Sequence, residues 1–80
     1  MIDEYMQAAL RRATFQEAEA GLYIGEIPGF DGVWSQGSTL DEARAELPEV
    51  LEGWILLGLR LGHDLPVVDG INLTPALETV

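Results

Sequence analysis

The sequence predicts an α+β domain with the order α-β-β-β-α-β: a short N-terminal helix, a three-stranded antiparallel meander, a long kinked helix and a final strand. Three observations carry this. Residues 13–19 switch to period two, and 22–27 and 33–36 follow as further extended pieces between Gly-containing turns. The links between those extended pieces are too short for the crossover that parallel strands need. A helix-capping signature at Ser38–Glu42 then opens a long amphipathic run.

The first helix is expected over Asp3–Arg12. Ile2, Tyr5, Met6, Ala9 and Leu10 follow the i, i+3, i+4, i+7, i+8 stripe, and Asp3 can cap the first turn. So short a helix must dock its apolar stripe to persist. Ala13–Glu19 and Leu22–Ile27 form a hairpin around Ala20-Gly21. The turn cluster Pro28-Gly29-Phe30-Asp31-Gly32 separates it from a third strand at Val33–Gln36.

The long helix runs from Leu40 to Leu61, with Thr39 as N-cap and Glu42 at the third helical position. Leu40, Ala43, Leu47, Val50, Leu51, Trp54, Leu57, Gly58 and Leu61 are expected on its buried face, opposite Glu42, Glu46, Glu49 and Glu52. Pro48 removes one helical hydrogen bond; because the stripe keeps its phase, a kink is expected there and not a break. After Gly53 the run Trp54-Ile55-Leu56-Leu57-Gly58-Leu59 is apolar all round and must be covered all round. Such a helix spans about 33 Å at about 1.5 Å per residue, against about 30 Å for a globule of this size. Its far end is therefore expected to meet a second subunit, through Trp54, Ile55, Leu56 and Leu59. Gly62 stops the helix, Val67–Leu73 gives a strand interrupted at Asp69-Gly70, and residues 74–80 form a loose tail. One domain therefore covers residues 1–80, with a core over 13–73.

Composition narrows the function. Fourteen acids stand against four basic residues, for a net charge of −10. All four are arginines: Arg11, Arg12, Arg44 and Arg60. That balance argues against direct nucleic-acid binding and excludes a polybasic membrane anchor. Nine of the acids and one arginine fall between Glu17 and Glu52. With no cysteine there is no disulfide framework and no thiol nucleophile. No signal peptide or spanning segment is evident, so a cytoplasmic protein is expected. A domain this small buries a modest fraction of its surface, and burial across a subunit interface is one remedy, so a homo-oligomer (dimer or tetramer) is expected.

The chemical inventory is thin. His63 beside Asp64 could orient an imidazole, but no nucleophile or second ligand is placed with it. The row Glu42, Glu46, Glu49 reads as a solvated helix face and not a cation site. Gly29-Phe30-Asp31-Gly32 lacks the lysine and helix start of a phosphate loop. Phe30, Trp34 and Trp54 are read first as core aromatics and second as anchors for a partner. No cofactor and no metal is expected.

The run from Gly21 to Ala43 resembles the HicB antitoxin family. Ile27-Pro28-Gly29 and Gly32 match its strand end and loop glycine; Gly37, Thr39, Glu42 and Ala43 match its helix entry. The resemblance covers about residues 12–73. It implies a partial ribonuclease-H-like fold and a non-catalytic antitoxin that neutralises a small basic mRNA-cleaving toxin of the HicA type by direct contact. Phe30, Asp31, Trp34, Glu42, Glu46 and Glu49 are the residues expected at that contact. With the sequence ending at Val80, no DNA-binding module is expected beside the domain. A two-metal nuclease needs converging acids, and only Glu17, Glu19, Glu42 and Glu46 are on offer, so the chain is not expected to be an enzyme. The alternative is a solitary oligomeric domain that binds another protein or a small ligand.

Overall fold

The computed structural model describes residues 2–71 and residue 73. Helix α1 spans Ile2–Leu10, strands β1, β2 and β3 span Thr14–Glu19, Leu22–Glu26 and Trp34–Gly37, and helix α2 spans Leu40–Leu61. The fold is α+β, with the predicted order of helix, three antiparallel strands and long helix. Among the described residues, no helix is long and apolar enough to cross a membrane.

Helix α1 ends two residues before the expected Arg12 because its last turn tightens. Arg12 and Ala13 donate to the carbonyls of Ala9 and Leu10, an i→i−3 pattern that swings the chain into β1. The hairpin turns at Gly21 (φ 77°), with the register slipping between Glu17 and Glu19. The sheet runs β1-β2-β3, pairing Phe15 with Gly25, and Gly25 with Ser35. Two successive tight turns link β2 to β3: Phe30 N–H donates to Ile27 C=O and Val33 N–H to Phe30 C=O, both at 3.1 Å. Each needs positive φ at its third residue, supplied by Gly29 (87°) and Gly32 (90°).

Helix α2 is continuous across Pro48. Thr39 Oγ1 accepts from Glu42 N–H at 3.1 Å, while Glu42 Oε1 accepts from Ser38 N–H at 2.8 Å. The reciprocal bond thus reaches one residue further back than in the simplest capping box. At the far end Gly62 is left-handed (φ 75°), and His63 N–H donates to Gly58 C=O at 2.9 Å.

The core lies between α1, the β2–β3 turns, α2 and the segment after it, with Tyr5, Phe30, Val33, Leu47, Leu51 and Ile55 among its members. The sheet adds little: β1 is exposed except at the half-buried Phe15. Instead the sheet receives α2 at close range. A Cβ on Gly37 would stand 2.6 Å from Glu42 Cβ and 2.7 Å from Ala43 N, and Ser35, fully buried, donates its hydroxyl to Ala43 C=O at 2.8 Å.

Three expectations are corrected. Leu40, Leu57 and Leu61 do not join the core; the buried stripe is Ala43, Leu47, Leu51, Ile55 and Gly58. Its steps of four from Ala43 to Ile55 drift around the helix, and a step of three then reaches Gly58, where Leu65 of the returning chain seats. Phe30 is 4% exposed, because the paired turns fold its ring inward against Tyr5 and Trp54, with centroids 6.1 and 5.2 Å away. The strand expected over Val67–Leu73 is reduced, among the described residues, to one antiparallel bridge between Val68 and Ile71. Positive φ at Asp69 (48°) and Gly70 (77°) makes that interruption a tight turn. The tail at residues 74–80 lies outside the described residues.

That turn is fastened to α1. Arg12 and Arg11 donate to Asp69 at 2.7 and 3.3 Å, and Tyr5 donates its hydroxyl to Pro66 C=O at 2.5 Å. The Arg12 hydrogen bond, then that of Arg11, holds the Asp69 carboxyl below its usual 3.8. A carboxyl depressed in the folded state stabilises it above the unfolded value and loses that effect as pH falls through the folded one. Denaturation midpoints of the wild type and Asp69→Asn should therefore differ most near neutrality and converge in acid. Gly37→Ala should cost about 1–3 kcal/mol by urea unfolding, since the atoms it meets include the backbone of α2.

Candidate functional site

Helix α2 covers one face of the sheet, and the residues that alternate with Gly25 and Ser35 occupy the other. Trp34 is there, 51% exposed, with Glu26 as its cross-strand partner on β2. The β2–β3 turns border it, and the groove between them, about 320 Å³, is lined by Ile24, Glu26, Pro28, Asp31 and Trp34 among others. Glu26 and Asp31 are both exposed. The result is a half-open indole beside two carboxylates. An aromatic face attracts a cation, and neighbouring carboxylates strengthen that preference.

Of the residues expected at a partner contact, Trp34 and Asp31 share this groove with Phe30, whose ring belongs to the core. Glu42, Glu46 and Glu49 are exposed on α2. Two of them have structural tasks: Glu42 caps the helix, and Glu46 Oε1 accepts from Gln36 N–H at 3.1 Å. Glu46 thereby occupies one donor of the β3 edge, a strand edge that otherwise invites pairing with another chain. Glu42 and Glu46 also border a second groove, with Gly21, Leu22 and Gln36, so the acidic surface extends along this edge.

The residues expected at an oligomer contact separate. Ile55 is fully buried within the protomer, and Trp54 and Leu59 are half-buried against its core. Leu56 is exposed, and Leu57, Leu61 and Val67 are exposed with it. Ile55 is corrected to a core residue for the reason given above: the buried stripe drifts onto it and away from Leu57.

Sequence reading did not single out Glu26, which emerges only once the register places it opposite Trp34. Nor did it find the groove of about 380 Å³ lined by Leu10, Ala13, Phe15, Arg44, Leu47 and Pro48, where the Arg44 guanidinium lies 5.5 Å from the Phe15 ring centre. His63 and Asp64 are exposed after α2. Among the described residues, no three His, Asp or Glu side chains gather closely enough to hold a metal ion.

A solved structure shares this architecture. TTHA0281 from Thermus thermophilus, known from a crystal structure, superposes with a TM-score of 0.81 at 34% identity, over 90% of each chain. The UPF0150 protein ssr1258 of Synechocystis sp. (strain ATCC 27184 / PCC 6803 / Kazusa) is 47% identical over 34 residues, or 42% of this chain and 49% of that protein. The chain thus spans about half the length of that curated relative. UPF0150-like sequences match residues 4–66, from α1 through α2 to the segment that packs against it, and the chain belongs to the UPF0150-like family.

Proposed function

We propose that this protein is a non-catalytic, antitoxin-like binding protein that neutralises a small basic mRNA-cleaving toxin of the HicA type. The observation that carries the reading is the exposed Trp34 beside Glu26 and Asp31, on a sheet face that α2 leaves open. An arginine or lysine of the toxin stacks on the indole and pairs with the carboxylates. The acids of β2 and of the first half of α2 draw the basic partner in and raise the rate of encounter. The likeness of the Gly21–Ala43 run to HicB antitoxins supports the same partner. The scatter of Glu17, Glu19, Glu42 and Glu46 over an exposed strand and a helix start, two of them already bonded to backbone, supports a role without catalysis. A solitary domain binding a small ligand would instead use the groove at Phe15 and Arg44.

Co-expression tests the reading. A neighbouring reading frame encoding a small basic protein should arrest growth alone and be relieved by this chain. Trp34→Ala should weaken the purified complex by about tenfold or more, equivalent to about 1.4 kcal/mol. Added salt should weaken the wild-type complex too. Failure of this chain to relieve the arrest rejects the antitoxin assignment.

A further inference from the structure

Gly53 stands in the middle of α2, exposed, and a Cβ there would meet nothing within 4 Å. Glycine weakens a helix interior relative to alanine, and the described residues supply no steric reason for it here. The other α2 glycine, Gly58, differs: it is buried, and a Cβ there would stand 2.8 Å from Leu65 Cδ2.

The surroundings of Gly53 give the missing reason. Residues three, four and seven positions on are Leu56, Leu57 and Arg60. Positions i, i+3, i+4 and i+7 form the four-sided hole that accepts a knob from a facing helix. Gly53 is the empty corner of that hole, and Leu56 and Leu57, 51% and 55% exposed, are apolar walls left uncovered among the described residues. The same helix face therefore carries both a hole and protruding leucines, the self-complementary requirement of a two-fold interface.

We propose that two copies of this chain pair through the C-terminal halves of their α2 helices, each inserting Leu57 into the hole at Gly53 of the other. Charge favours a second copy as the occupant. A chain of net charge −10 repels itself, and Gly53–Leu59 is a stretch of α2 without any charged residue. Charge also sets the direction. Glu49 lies on the same side of α2 as Gly53 and Leu57, so an antiparallel crossing sets the two Glu49 carboxylates at opposite ends of the seam. A parallel crossing would stack Glu49 on Glu49. The seam does not depend on the antitoxin reading, whose surface lies on the sheet and the first half of α2.

Sedimentation equilibrium of the full chain tests it. The wild type should form an assembly of even copy number, with a mass at least twice 8.7 kDa, and salt should tighten it by screening like charge. Leu57→Glu should at least halve that mass. Gly53→Ala should raise the dissociation constant by about tenfold or more, while circular dichroism shows helix content unchanged or increased, because alanine is the better helix former. That opposition of signs is not expected of a merely structural glycine. A monomeric wild type overturns the proposal. So does a mass that survives Leu57→Glu, or a dissociation constant that Gly53→Ala leaves unmoved.

Discussion

The seating of the first turn of α2 against β3 is the constraint on which the rest of this structure depends. Gly37 leaves room for the backbone at Glu42 and Ala43, and Ser35 commits its buried hydroxyl to the Ala43 carbonyl. That bond is buried, so a change that breaks it costs more than the same loss at an exposed site. The geometry also fixes Glu42 and Glu46, which then reach back to Ser38 and Gln36 and close part of the sheet edge. On the next strand, Gly25 makes similar room: a Cβ there would stand 2.7 Å from Phe15 Cδ2 and 2.8 Å from Ser35 Oγ. Close approach, and not apolar bulk, joins this sheet to its helix.

The apolar core consequently forms at the other end. Tyr5, Phe30 and Trp54 pack in sequence as tilted rings among α1, the β2–β3 turns and α2. The returning segment closes it with Leu65 and Val68, tied down by Tyr5 at Pro66 and by Arg11 and Arg12 at Asp69. Exposed ion pairs of that kind contribute little on their own. Their value here is to hold a short segment that has, among the described residues, a single bridge between Val68 and Ile71 as its own secondary structure.

Local signals were legible in the sequence, and non-local ones were not. The cap at Thr39, the stop at Gly62 and the turn at Gly21 are set by residues within a few positions, so they could be read directly. The phase of α2 after Gly53 could not, because a segment apolar all round carries no information about which side is buried. Its resolution toward Ile55 depends on where Leu65 returns in space. Phe30 was ambiguous for a related reason: its ring direction follows from two positive-φ glycines acting together. Of the candidate site, Trp34 and Asp31 were recognisable as residue types, but Glu26 acquires its place only through strand register. Gly53 carries no signal in sequence either, until the structure shows that none of the described residues needs it.

Charge placement connects these features. Acids on β2, on the turn at Asp31 and on the first half of α2 repel one another, which opposes compaction. The fold relieves part of that repulsion locally, since Glu42 and Glu46 accept from backbone donors and the N-terminus of α2 favours Asp41 and Glu42. What remains points outward, with Glu26 and Asp31 beside the exposed indole, where the proposed basic partner would complete the relief. The uncharged half of α2 follows the opposite logic: it has no field to attract anything at long range, and its leucines gain by leaving water whatever the salt. One helix thus divides into a charged half and an uncharged half, and the proposed contacts with a basic partner and with a second copy follow that division. The boundary between the two falls at Gly53.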